Sequence, residues 1–260
     1  MGLAMLKGWL AAGLSAGSVA VLEPTPSPAL RELAQAHRLR LNPPPESLSP
    51  AVLVVAVKPQ VLAEALAALP GNIAEARPLV LSIAAGTPVA TFTAVLGDVP
   101  VVRAMPNTPA AIGRGMTGLY ASETVTDAQR ALARALLAVL GDVVEVPAEA
   151  DIDKVTAISG SGPAYVFLLA ECLAEAGAAL GLDERTAARL ARQTIIGAAA
   201  LLDEAEESPA ELRRAVTSPG GTTEAALKVL MHDEDGLCRL MRRATAAAER
   251  RARELAGGKG

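Results

Sequence analysis

The chain has 260 residues, of which 51% are hydrophobic, 20% charged and only 2% aromatic, with a formal net charge of −4. That length can bury one large core or two ordinary ones, and the apolar share excludes intrinsic disorder. A mildly acidic chain with one Trp, two Tyr and two Phe lacks the basic face and the stacking platform that nucleic acid requires.

Leu3, Leu6, Leu10 and Leu14 stand near helical spacing and predict a helix over 3–16. A short apolar run (18–22), a Pro-rich turn (23–28) and a helix (29–37) follow. Beyond the Pro-rich loop 42–45 come a strand at 51–57, a helix at 60–69, a strand at 79–83, a helix at 89–96 and a strand at 99–103. Strands that read as unbroken apolar runs, alternating with helices, predict an α/β domain whose parallel sheet is covered on both faces. After Val146-Pro147 the pattern becomes all helical: 151–157, 163–181, 184–204, 209–215, 222–232 and 235–256. The expected division is therefore an α/β dinucleotide-binding domain over 1–148 and a helical substrate and dimerisation domain over 149–260. The tail 257–260 is expected to fray.

Cys172 and Cys238 lie far apart and read as two buried, unpaired thiols in a reducing compartment. The most apolar helix, near 164–182, carries Glu171 and Glu175, so no membrane span is expected. The start MGLAMLKGWLAAG lacks an A-x-A-like cleavage site, which predicts a cytoplasmic protein. No Cys/His cluster has metal spacing, so no metal is expected. His37 and His232 stand beside charged residues and read as solvated.

Sheets of this kind bind ligands beyond the carboxyl ends of their strands. Small or polar residues stand at three such ends: Val57-Lys58-Pro59-Gln60, Ala84-Ala85-Gly86, and Ala104-Met105-Pro106-Asn107-Thr108-Pro109. Lys58 and Asn107 offer polar handles there; the alternative is ordinary turns. A dinucleotide fold also needs a strand running into G-x-G-x-x-G. This chain goes from Met1-Gly2 directly into a helix, so Gly2 reads as the last glycine of such a loop, with the first strand and other glycines absent. Glu23, at the end of the second strand of that unit, is placed to bond an adenosine ribose, the alternative being a solvated turn residue; Thr25, Ser27 and Arg31 could instead hold a 2′-phosphate, so the preference between NADH and NADPH stays open.

The helical half offers two glycine-rich segments. Ser159-Gly160-Ser161-Gly162-Pro163 opens a long helix and reads either as a tight turn or as a ligand contact. Ser218-Pro219-Gly220-Gly221-Thr222-Thr223-Glu224 runs into a helix whose first N–H groups and dipole would hold a small carboxylate. The alternative there is a plain threonine cap.

The segments AVKPQ (56–60), LSIAAG (81–86), VRAMPNTPA (102–110), TAISGSGPAYVF (156–167) and TSPGGTTEAAL (217–227) together resemble pyrroline-5-carboxylate reductase. The resemblance runs from end to end. It implies a Rossmann-type domain followed by an interlocking dimerisation domain, NADPH or NADH as cofactor, and dimers that assemble further into a decamer. The implied reaction is reduction of 1-pyrroline-5-carboxylate to L-proline, at a site built from two subunits. By that resemblance Gly2, Asn42, Ala56, Val57, Lys58, Pro59, Ile83, Ala84 and Ala85 line the cofactor, and Glu149 lies near the nicotinamide ribose. Gly221, Thr222 and Thr223 hold the substrate, Glu206 lies near the ring nitrogen, and Thr223 is the catalytic candidate. Two other readings stand beside it. One is a different small-acid reductase of the 6-phosphogluconate-dehydrogenase-like group, which would need a catalytic lysine such as Lys154 or Lys228. The other is an impaired, N-terminally short homologue acting as a dimeric scaffold.

Overall fold

The computed structural model describes residues 1–257; most of the tail expected to fray lies outside them. Seven strands and twelve α-helices are found among the described residues. In order they are α1 (Gly2–Ala11), β1 (Ala20–Val21), α2 (Pro28–His37), β2 (Arg40–Leu41), β3 (Val52–Val55), α3 (Pro59–Ala67), α4 (Gly71–Glu75), β4 (Leu79–Ser82), α5 (Val89–Leu96), β5 (Val101–Pro106), β6 (Gly115–Ala121), α6 (Asp127–Ala138), β7 (Gly141–Glu145), α7 (Asp151–Val155), α8 (Gly162–Ala179), α9 (Glu184–Glu204), α10 (Pro209–Ala215), α11 (Thr222–Leu230) and α12 (Leu237–Ala256). A π-helical turn, Thr156–Gly160, separates α7 from α8.

The first half is a Rossmann-type α/β domain. Strands β3, β4 and β5 are parallel neighbours, with Val55 beside Ser82 and Ser82 beside Arg103. Alternate residues of β4 point to opposite faces. Leu79 and Leu81 enter a core with Met5, Ala133 and Leu137 from α1 and α6. Val80 enters a second core with Leu62 and Leu66 of α3 and Phe92 of α5. Burial on both faces explains the unbroken apolar run in the sequence. The indole N–H of Trp9 donates to the Leu136 carbonyl at 2.7 Å, tying α1 to α6.

The sheet is not wholly parallel. β5 and β6 pair antiparallel, and β6 and β7 parallel again. The link over 107–114 is too short for the crossover of roughly a dozen residues that a parallel pair requires. Strands β1 and β2 form a separate parallel pair. The spacing predicts no element between 110 and 146, yet this stretch holds β6, α6 and β7. β6 contains two glycines and blurs its own alternation. The Thr126–Gln129 capping box that opens α6 is a signal that the sequence does carry.

The chain forms two compact units: Met1–Gly160 together with the chain from Glu249 onward, and Ser161–Ala248. The compact division thus does not coincide with the change of composition at 148/149, because α7 and the π turn pack on β5 and the end of α12 returns to the first unit.

In the second unit α8 and α9 pack closely, and a Cβ on Gly177 would lie 3.0 Å from that of Ala187. Large apolar side chains remain exposed within the protomer, among them Phe167, Leu168, Ile196, Leu201 and Val229. Cys172 and Cys238 are free, as expected, but exposed rather than buried. His37 is exposed, and His232 is exposed and pairs with Asp235. The continuous stretch Asp151–Ala179 is long and apolar enough, by length and composition, to cross a membrane.

Two stability outcomes follow from these packings. The Thr117 hydroxyl on β6 is fully buried with no hydrogen-bond partner, so Thr117→Val should stabilise the fold by about 1 kcal/mol; thermal melting that shows an equal or lower Tm would contradict this. Asp183 caps α9. Bonds from the Thr186 hydroxyl and N–H hold its carboxyl below the usual range. A depressed folded value means stabilisation that is present above the ordinary carboxylate pKa of about 4 and is lost as pH falls through the folded value. Asp183→Ala should therefore lower Tm at neutral pH, with the gap between variant and parent closing in acid.

Candidate active site

The parallel strands β3, β4 and β5 end on one side, and the segments 56–59, 83–86 and 106–107 follow those ends. Ala56 and Ala85 are exposed there, while Ala84 is buried. Gly2 opens α1, and a Cβ on it would stand 3.0 Å from the Ala56 Cβ. Helix N-terminus and strand end thus approach as closely as glycine and alanine allow. This is the kind of opening a flat, pyrophosphate-bearing cofactor requires, so the residues fit a dinucleotide. Lys58 is the residue before α3 and Pro59 its first helical residue, where a missing N–H is harmless.

Glu23 and Asn42 are brought together at the ends of β1 and β2. The Asn42 amide accepts from the Glu23 N–H at 2.8 Å and donates to the Glu23 carbonyl at 2.9 Å. The Glu23 carboxylate turns onto the Thr25 N–H at 3.0 Å. Ser27 caps α2, its hydroxyl oxygen accepting from the Leu30 N–H at 3.3 Å.

Asn107 and Glu149 are held by protein partners. The Asn107 amide donates to the Ser159 carbonyl at 3.1 Å and accepts from the Met116 N–H at 2.9 Å. It ties the β5–β6 link to the π turn. Glu149 Oε1 takes two donors, the Arg103 guanidinium at 2.6 Å and the Val89 N–H at 2.7 Å. Arg103, 5% exposed, is a functional candidate that sequence reasoning missed; its signal is a lone charge inside an apolar strand. Nearby, burial pushes the Asp153 carboxyl up, against the pull of Arg103 and Arg253.

In the second unit, Gly221 and not a threonine precedes the first turn of α11, with no side-chain cap. Thr222 and Thr223 are the first two helical residues, and no described residue engages their hydroxyls. Gly220 has φ +71, a backbone that favours glycine. Its N–H donates to Glu224 at 2.8 Å, and the Gly221 N–H donates to the Ser218 carbonyl at 3.0 Å. Of the N–H groups expected to hold a carboxylate, that of Gly221 is thus already engaged.

Glu206 is exposed between α9 and α10, in an open cavity of about 570 Å³ lined by Glu204, Ala205, Glu207 and Glu211. That lining does not include Gly221, Thr222 or Thr223. Lys154 donates to Asp151, and Lys228 is 74% exposed beside Glu224. Neither has the setting of a catalytic lysine.

A pyrroline-5-carboxylate reductase from Synechocystis is 44% identical over 225 residues, covering 86% of this chain and 82% of its own. The chain belongs to the pyrroline-5-carboxylate reductase family. The family's dimerisation domain, "Pyrroline-5-carboxylate reductase dimerisation", matches residues 149–255. Among solved structures, the reductase from Coxiella burnetii superposes with a TM-score of 0.87 at 36% identity, covering 98% of this chain and 94% of that one. The Plasmodium falciparum reductase, solved with NADP bound, gives 0.77 at 26% identity over the same shares. The apolar stretch over 151–179 lies inside the dimerisation domain, which accounts for its exposed face without a membrane.

The adenosine end yields a test. Glu23→Gln keeps an acceptor for the Thr25 N–H while removing the charge. Its KM for NADPH, relative to that for NADH, should fall roughly two- to fivefold, the scale of one screened charge pair. An unchanged ratio in steady-state kinetics would remove Glu23 from cofactor selection.

Proposed function

We propose that this chain reduces 1-pyrroline-5-carboxylate to L-proline with NADPH or NADH, the activity that its family's name carries. The observation that carries the substrate side is α11: a helix start left open by Gly221, with two unengaged hydroxyls beside free first-turn N–H groups. The bound nicotinamide cofactor supplies a hydride, and its binding residues are assigned to Gly2, Glu23, Asn42, 56–59 and 83–85 at the strand ends.

The chain's own work is orientation. First-turn N–H groups and the helix dipole of α11 hold the substrate carboxylate, as a helix N-terminus does for anions. That fixes the ring so that its C=N carbon is presented for attack. The Thr223 hydroxyl accepts a hydrogen bond from the ring N–H of the iminium and so favours its electrophilic form. The hydride would add at the C=N carbon, the π pair of C=N would become the nitrogen lone pair, and the ring N–H would stay in place. Thr222 flanks the carboxylate.

The exposed apolar side chains of α8 and α9 support a homodimer as the working unit, and the family's dimerisation domain points the same way. A decamer is the further expectation, to be read by native mass measurement. Two free thiols fit a reducing cytoplasm.

Thr223→Val should lower kcat/KM for 1-pyrroline-5-carboxylate roughly ten- to a hundredfold, the scale of one hydrogen bond to a charged group. Thr223→Ser should restore most of it, and the native mass should not change. Wild-type kinetics for Thr223→Val would sink the assignment. A panel of hydroxyacids turned over in place of the imine would sink the activity.

A further inference from the structure

The turn after β4 is held from within at every polar step. The Ser82 hydroxyl, 1% exposed, accepts from the Ala84 N–H at 3.2 Å. Gly86 takes a φ of +64, and the buried Thr87 hydroxyl donates to the Ala85 carbonyl at 3.4 Å. Then comes Val89, the first residue of α5, preceded by Pro88, which offers no side-chain cap. The missing cap is supplied from 60 residues away by Glu149.

Glu149 has a reason to stay there. Arg103 is the register partner of Ser82 and is buried in the middle of the sheet. Its guanidinium needs a counter-charge, because an uncompensated buried cation is strongly destabilising. Glu149 provides that charge through the same oxygen that receives the Val89 N–H. A carboxylate at the amino end of α5 also complements the helix dipole.

We propose that Arg103 and Glu149 are positioning residues of the cofactor turn: their ion pair fixes the amino end of α5, and with it the Ala84–Gly86 turn at the sheet's carboxyl edge. This rests on the cofactor reading above but gives Glu149 a different part. It acts through Val89 rather than by touching the ribose. Arg103, buried and the register partner of Ser82, serves the cofactor equally by holding Glu149.

The test separates the two parts. Amide hydrogen exchange at Val89, measured without cofactor, reports the cap. Fluorescence titration with NADPH reports binding, and kinetics with 1-pyrroline-5-carboxylate report turnover. Glu149→Asp, one methylene too short to serve both donors, should speed Val89 exchange and weaken NADPH binding about tenfold. The KM for NADPH should rise while kcat at saturation holds. Arg103→Lys should do the same, and the double variant should be little worse than either single one, as for residues acting as a unit.

If Arg103→Lys leaves NADPH affinity at the parental value while Glu149→Asp loses it, Glu149 meets the cofactor directly and the proposal fails. It fails too if Glu149→Asp changes neither Val89 exchange nor affinity. A parent that binds NADPH but does not reduce the imine would overturn the activity alone; one that binds neither NADPH nor NADH would overturn both.

Discussion

Burial of β4 and β5 on both faces, with β3 partly covered at their edge, is the constraint from which the rest of the first unit follows. A strand with no solvent-facing side has no cheap place for a polar side chain. Polar groups therefore gather where the strands stop, and those ends lie together because the three strands run the same way. Ser82 and Arg103 are the departures, sitting side by side near the exit of the sheet. Each is satisfied, by the Ala84 N–H and by Glu149. The chemistry at the sheet's edge is thus a consequence of the apolar interior and not a feature added to it.

The sequence exposes such an interior well and its exceptions poorly. Leu79-Val80-Leu81 reads as a doubly buried strand because no residue in it tolerates water. The SPGGTT segment reads as an anion site because two adjacent glycines before a helix exceed what a cap needs. The Arg103–Glu149 pair is a different kind of fact. Its members lie 46 residues apart, and no spacing rule joins a mid-strand arginine to an acid in a later loop. Only the fold brings Arg103, the register partner of Ser82, to the carboxylate that also receives the Val89 N–H.

Two mistaken expectations have physical causes as well. Cysteines in apolar helices read as buried because helical periodicity marks which face avoids water, not which molecule covers it. Cys172 and Cys238 are exposed in the protomer. The Gly221 N–H looks available in the sequence, yet it closes a turn onto Ser218. A backbone donor's engagement depends on a local bend that composition alone does not fix. At β6, glycines that let neighbouring elements approach also erase the alternation by which a strand is recognised.

The exposed apolar face of α8 and α9 makes the molecule's durability a property of its concentration. A unit that completes its core with a second copy folds and associates in one coupled equilibrium, so dilution acts on it as a denaturant does. In a two-fold arrangement each surface residue also meets the same surface reversed. One altered codon there changes two contacts at once, which doubles both the harm of a poor substitution and the benefit of a good one.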